Sequence, residues 1–176
     1  MSDLVKVKSF TRQICKTVSY LNSMKIVHQD LKPENVLLNK KFDTVKLCDF
    51  GISNYLDMTR VTHDAKGTVR YMSKELLDCK LTNKIDVWGI GCILLVMITG
   101  KQPYEGINNE WAISSKIFSG VTPLDFALEF WKLDLFGNEN GELQDGNTNT
   151  LFNQDAALRN FIAVCLDKSY ETRPTA

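Results

Sequence analysis

Residues 28–35 read His-Gln-Asp-Leu-Lys-Pro-Glu-Asn, and fourteen residues after Asn35 comes Asp49-Phe50-Gly51. Asp30, Lys32, Asn35 and Asp49 supply two carboxylates, a lysine and an amide. Carboxylate and amide oxygens suit a hard divalent cation such as Mg²⁺, while an ammonium group pairs with phosphate. Phosphoryl transfer needs those parts: charge neutralisation at the phosphates, a carboxylate to orient the attacking hydroxyl or take its proton, and tight positioning of both. Either short motif alone occurs by chance, and a lone Asp30 or Asp49 is more often a turn or cap residue. Their combination in this order and at this spacing is what points to chemistry.

Short strands must hold that cluster. Val36-Leu37-Leu38 and Val45-Lys46-Leu47-Cys48 flank a turn over 39–44, which predicts a hairpin with the polar loop entering one strand and the Asp49 turn leaving the other. Upstream, Phe10, Ile14, Val18 and Leu21 recur at three- and four-residue steps and predict an amphipathic helix over 9–22. Residues 49–75 show no sustained period and read as an irregular segment, of a length that usually serves function. The apolar run 87–98 has Asp86 in the helix-opening position and Thr99-Gly100, then Pro103, as its stop, so it predicts a central helix buried all round. Further helices are expected over 110–118 and 155–166, the latter with Leu158, Phe161, Ile162 and Cys165 on one face. Between them, residues 137–150 (GNENGELQDGNTNT) hold a single large apolar residue, Leu143, and are expected to form a mobile surface insertion.

The chain has 176 residues, 44% of them hydrophobic, which is the make-up of one ordinary domain with a real core. Lys and Arg number 21 against 21 Asp and Glu, so no basic excess favours nucleic acid or an anionic membrane surface. The apolar run 87–98 falls short of the roughly 18 residues of a membrane span, and the polar amino terminus has no secretory character. Cysteines at 15, 48, 79, 92 and 165 are odd in number, with no C-x-x-C pair, which argues against a disulfide framework and a structural zinc site. A reducing compartment is expected, the cytoplasm first and the nucleus as the alternative.

Taken in order, the motifs resemble those of the eukaryotic protein kinases, over nearly the whole chain. HQDLKPEN resembles the catalytic loop, Asp49-Phe50-Gly51 the metal-binding turn, GTVRYMSKE at 67–75 the end of the activation segment, DVWGIGC at 86–92 the central helix, and Arg173-Pro174 the late arginine. The resemblance implies a mainly α fold, the large lobe of a kinase with a small β-hairpin region and a long activation segment, residues 1–176 being a partial kinase domain. It implies ATP and Mg²⁺ as cofactors and a protein substrate bearing Ser or Thr. Asp30 resembles the catalytic base, Lys32 the group that steadies the transferred phosphoryl, and Asn35 and Asp49 the Mg²⁺ ligands. Lys32 and Thr68 resemble the serine/threonine-specific branch, with Thr68 expected to hydrogen-bond to Asp30 and Lys32. Leu37 resembles the floor beneath the adenine ring, and Cys48, next to Asp49, is expected to border the nucleotide site. Glu75 and Arg173 are expected to pair as a buried salt bridge, and Asp86 to accept backbone amides of the catalytic loop.

Three departures stand out. Gln29 replaces the family's usual arginine, which removes a cation for an activation-loop phosphate on Thr59 or Thr62; Arg60, Lys66 and Arg70 are the nearby substitutes. Ser73-Lys74-Glu75 replaces Ala-Pro-Glu and loses the proline's fixed φ. The 29 residues before Asp30 hold neither a G-x-G-x-x-G loop nor a V-A-I-K strand, so the small lobe is expected to be absent. Gly89-Ile90-Gly91 lies inside the apolar helix and cannot cradle a phosphate. His63 reads as a solvated loop residue, and Cys15, Cys79, Cys92 and Cys165 as inert residues in or near the core. Val36, Leu37, Leu38 and Phe50 are expected to form an exposed face open to association. A second class of function, a catalytically silent kinase-like module that binds partners, competes with the enzyme.

Overall fold

Val7, Thr11, Ile14, Val18 and Leu21 bury one face of the first helix, α1 (Asp3–Ser23). The computed structural model of the chain describes residues 3–56, 67–130 and 155–176. The insertion expected over 137–150, and His63, Thr59, Thr62, Arg60 and Lys66, lie outside the described residues. Helix α1 starts earlier than its strongest period, because Leu4 and Val7 extend the same face into the core between the charges of Lys6 and Lys8.

Two antiparallel pairs follow. Strand β1 (Ile26–Val27) pairs with β4 (Asn54–Tyr55), and β2 (Val36–Leu38) pairs with β3 (Val45–Leu47) in the register Val36 to Leu47, Leu38 to Val45. The hairpin agrees with the sequence reading. Strand β4 does not, since it sits inside the stretch read as irregular; two residues have no alternation to display, and their partner is far away in sequence. The topology has a functional consequence. Loop 28–35 joins β1 to β2 and loop 48–53 joins β3 to β4, so the two pairings bring both loops together.

The 3₁₀ turn Pro33–Asn35 ends the first of those loops, with proline at its start. Within and after residues 67–75, which resemble the end of the activation segment, come a 3₁₀ turn, Val69–Tyr71, and the short helix α2 (Lys74–Leu77). The central helix, α3 (Lys84–Thr99), is buried on all sides, from Ile85 to Ile98, and stops at Gly100 in the left-handed region, φ 68°. Asp86 does not open it. The helix begins at Lys84, and Asp86 lies in its first turn with its carboxylate committed elsewhere, as described below. The two glycines of α3 serve packing: a Cβ on Gly89 would lie 2.6 Å from Leu31 Cβ, and one on Gly91 within 2.9 Å of Cys165 and Leu166. The absence of side chains there lets loop 28–35 and the last helix close onto α3.

Helix α4 (Glu110–Phe118) is capped by Asn109, whose side chain accepts from the Trp111 and Ala112 amides. Helix α5 (Pro123–Phe130) is an addition to the sequence reading. Thr122 and Asp125 cap it reciprocally, each backbone N–H donating to the other's side-chain oxygen at 3.0 Å. The last helix, α6 (Ala156–Cys165), is capped by Asp155 and buries Leu158, Ile162 and Cys165, while Phe161 is half-buried. Helices α1, α3 and α6 enclose the main core around Trp88, Leu94, Leu95 and Ile162. A second cluster, from Ile14 and Val18 through Leu31 to Ile90 and Ile93, fastens loop 28–35 to α1 and α3.

Arg173 is fully buried and grips Glu75 with two guanidinium nitrogens, the second at 3.2 Å from Oε2. Its Nε donates to the Asp167 carbonyl at 2.8 Å, and its guanidinium lies 4.7 Å from the centre of the Trp88 ring. A buried pair satisfied this completely ties the end of the chain to α2.

Candidate active site

Asp30 is buried and its carboxylate is surrounded by donors. Lys32 Nζ lies 2.7 Å from Oδ2, the Thr68 backbone N–H donates to Oδ1 at 3.1 Å, and Asn35 Nδ2 donates to Oδ2 at 3.1 Å and to the Asp30 carbonyl at 2.8 Å. Lys32 also donates to Thr68 Oγ1 at 2.7 Å. Burial alone would push the Asp30 carboxyl up. The hydrogen bond and charge of Lys32, the Thr68 amide and Asn35 outweigh it and hold the carboxyl below its ordinary value. Thr68 therefore reaches Asp30 through its backbone and Lys32 through its hydroxyl. The turn before it needs glycine: Gly67 has φ 128°, and a Cβ there would lie 3.4 Å from Asp30 Oδ1.

The loop that presents Asp30 is suspended from α3. Asp86, fully buried, accepts the His28 N–H at 2.9 Å and the Gln29 N–H at 3.0 Å, one on each oxygen. Burial pushes the Asp86 carboxyl up to about 6, with the two amides and His28 pulling the other way. Gln29 takes a left-handed φ of 71°, unusual for a non-glycine residue and concentrated at functional loops. Its side chain is buried, and Nε2 has no acceptor.

His28, to which sequence reasoning gave no role of its own, joins the two loops. Its Nε2 lies 3.0 Å from the Cys48 carbonyl, which can only accept, so the ring proton sits on Nε2 and Nδ1 receives the Asp30 N–H at 3.4 Å. Its ring packs 4.8 Å from that of Phe50, and Ser53 Oγ donates to its carbonyl at 3.2 Å. The signal was present as a histidine two residues before Asp30; its partner, a backbone carbonyl, leaves no mark in a sequence.

Cys48 and Asn35 link the loops a second time. The Cys48 N–H donates to the Asn35 carbonyl at 3.0 Å and its Sγ lies 3.5 Å from the same oxygen. Asp49 follows, exposed, with φ 61° and Oδ1 3.3 Å from the Gly51 N–H. Asp30, Lys32, Asn35 and Thr68 thus form one hydrogen-bonded cluster. Asp49, Cys48 and Leu37 stand beside it without a hydrogen bond to the Asp30 carboxylate. Leu37, Leu38 and Phe50 are exposed, at 53, 45 and 45%. Val36, grouped with them in the sequence reading, is half-buried because it packs onto the Ile14 and Val18 cluster.

The donor set fits a hard cation. Both acceptors facing the Asn35 amide belong to Asp30, which fixes Nδ2 on that side and leaves Oδ1 for another partner, and Asp49 presents an exposed carboxylate on the adjoining loop. Arg70, named as a nearby substitute cation, already has backbone partners. Its guanidinium donates to the Pro103 and Ile107 carbonyls at 2.9 and 3.1 Å, pinning Val69–Tyr71 to the segment before α4.

The protein kinase domain family model matches residues 3–176, and the chain belongs to that family. Its fold is the mainly helical large lobe. The chain is similar to calcium-dependent protein kinase 4 of Plasmodium falciparum, 34% identical over 117 residues that make up 65% of this chain and 22% of that protein. It is similar to the serine/threonine-protein kinase ppk25 of Schizosaccharomyces pombe, 37% identical over 115 residues, 64% of this chain and 27% of that protein. With the dual specificity mitogen-activated protein kinase kinase hemipterous of Drosophila melanogaster it shares 29% identity over 165 residues, 90% of this chain and 12% of that protein. The matched region is about a quarter or less of each relative's length.

Proposed function

We propose that these residues form the large lobe of a serine/threonine protein kinase that moves the γ-phosphoryl group of ATP to a Ser or Thr hydroxyl of a protein substrate. The observation that carries this reading is the Asp30–Lys32–Thr68–Asn35 cluster, in which a carboxylate kept ionised is aimed by three donors. Asp30 would accept the substrate hydroxyl's hydrogen bond, orient its oxygen and receive its proton as the new P–O bond forms and the bond to the leaving phosphate breaks. Lys32 would neutralise charge growing on the transferred group while held by Thr68. Asn35 Oδ1 and Asp49 would hold Mg²⁺, which when bound neutralises the phosphates. Leu37 and Cys48, on and beside the hairpin, would border the nucleotide. The odd number and wide spacing of the cysteines support a reducing compartment, the cytoplasm or the nucleus.

These 176 residues contain no glycine-rich loop and no V-A-I-K strand. Activity is expected from a chain that supplies them, and little from residues 1–176 alone, because catalysis of this kind is mostly positioning. Phosphoamino-acid analysis after reaction with γ-labelled ATP and a mixed peptide library tests the assignment. Label on serine and threonine supports it, and label on tyrosine alone would refute it. The second reading, a silent binding module, draws on the exposed Leu37, Leu38 and Phe50. It would be favoured by nucleotide-independent partner binding with no label transferred.

A further inference from the structure

Arg70 is half-buried and forms no ion pair among the described residues. Its guanidinium instead meets two backbone carbonyls with the two arms of one fork, Nη1 donating to Pro103 at 2.9 Å and Nη2 to Ile107 at 3.1 Å. The segment that supplies them is sharply bent, with the Ile107 N–H returning to the Tyr104 carbonyl at 3.1 Å. Tyr104 and Gly106 both take positive φ, 56° and 95°. Complete burial and a hydroxyl bond to the Val121 carbonyl at 2.8 Å hold Tyr104 there. A bulky residue in that region is an outlier that persists only where its surroundings fix it, and such strain collects at functional positions.

On its other side Arg70 is two residues from the site. Thr68 opens the 3₁₀ turn Val69–Tyr71, and its carbonyl receives the Tyr71 N–H at 2.9 Å while that of Val69 receives the Met72 N–H at 3.0 Å. Thr68 and Arg70 therefore belong to one rigid turn. Thr68 holds Asp30 through its N–H and Lys32 through its hydroxyl. Tyr71 and Met72 are buried and fasten the turn on the core side, and Arg70 anchors it on the side of α4. A phosphate gripped by Arg70 would have to displace both carbonyls.

We infer that Arg70 is a positioning residue for phosphoryl transfer: by clamping the turn to Pro103 and Ile107 it sets Thr68, and through Thr68 the Lys32 ammonium and the Asp30 carboxylate. The inference rests on the function proposed above and names a residue that acts on that cluster from outside it.

The test uses the complete chain with γ-labelled ATP and a peptide bearing Ser and Thr. Arg70→Met, which keeps the apolar stem, is expected to lower kcat about tenfold or more with the KM for ATP unchanged, the scale of a small misplacement of reacting groups. Arg70→Lys is expected to lose nearly as much, because a point charge cannot span two carbonyls as the planar fork does. Both losses are expected to persist after phosphatase treatment. Arg70→Met combined with Thr68→Ala is expected to cost less than the product of the single losses, since one residue acts through the other. Hydrogen exchange at the Thr68 amide is expected to be faster in both Arg70 variants. That measurement needs no activity, so it judges the clamp even where absent label transfer refutes the phosphoryl-transfer reading. Full activity of Arg70→Lys, or a loss confined to the phosphorylated enzyme, would make Arg70 a phosphate receptor. Losses that multiply, or a Thr68 amide unchanged in both variants, would make it a structural contact alone. Either result overturns the proposal.

Discussion

Asp30 keeps its charge in a buried place because the donors around it, chiefly Lys32, are worth more than the hydration it gives up. Its folded value lies below its unfolded value near 3.9, so its contribution to stability is in place above that pH and is lost as pH falls through the folded value. A carboxyl-detected NMR titration is expected to place its midpoint below that of a model aspartate; a midpoint above it would contradict the role given to Lys32. Thr68 separates two contacts that one substitution can tell apart. Thr68→Ala removes the hydroxyl that receives Lys32 and retains the N–H that Asp30 accepts, whereas Thr68→Ser keeps both. In a complete kinase the alanine variant is expected to lose about tenfold or more in kcat and the serine variant to remain near wild type. Equal losses would mean that the methyl group, not the hydroxyl, matters. Asp30, Lys32 and Asn35 were legible from residue type and spacing, and Thr68 from the motif resemblance. The contacts of Arg70 and the role of His28 were missed because their partners are backbone carbonyls, and any residue can supply one.

At the scale of elements, loop 28–35 is placed by what packs under it. Gly89 in α3 leaves room for Leu31, so Gly89→Ala forces its Cβ into that side chain. The expected cost is about 1 to 3 kcal/mol in urea unfolding, the usual range for overpacking a core, with a matching loss of activity because Asp30 moves with Leu31. A variant as stable and active as wild type would show that the loop can shift freely. Long elements were legible: α1 and α6 each declare a buried face, and α3 an unbroken apolar run. Helix α5 was overlooked although its start, Thr-Pro-Leu-Asp, is a capping arrangement with proline at the first helical position. Strands β1 and β4 carry almost no local signal. Two residues each, they exist because the turns around them bring the loops together, a long-range effect that no short window contains.

Across the whole molecule, Glu75 and Arg173 join residues 98 apart and close the lobe around Trp88. Motif resemblance made that buried pair legible, while its stacking on Trp88 emerges from the packing. Glu75→Gln leaves the guanidinium buried without its counter-charge and is expected to destabilise the fold by about 3 to 5 kcal/mol, read by urea unfolding. A change under about 0.5 kcal/mol, the range of ordinary surface substitutions, would show the pair to be dispensable. The central claim is that the Asp30 cluster acts on a substrate hydroxyl during phosphoryl transfer. Its most direct test is single-turnover transfer from γ-labelled ATP by the complete chain, comparing wild type with Asp30→Asn after both are shown to bind nucleotide equally. The account predicts a rate lower by about 10² to 10⁴ in the variant, the range for a lost acid–base group, with nucleotide affinity unchanged. Equal rates for the two would contradict it.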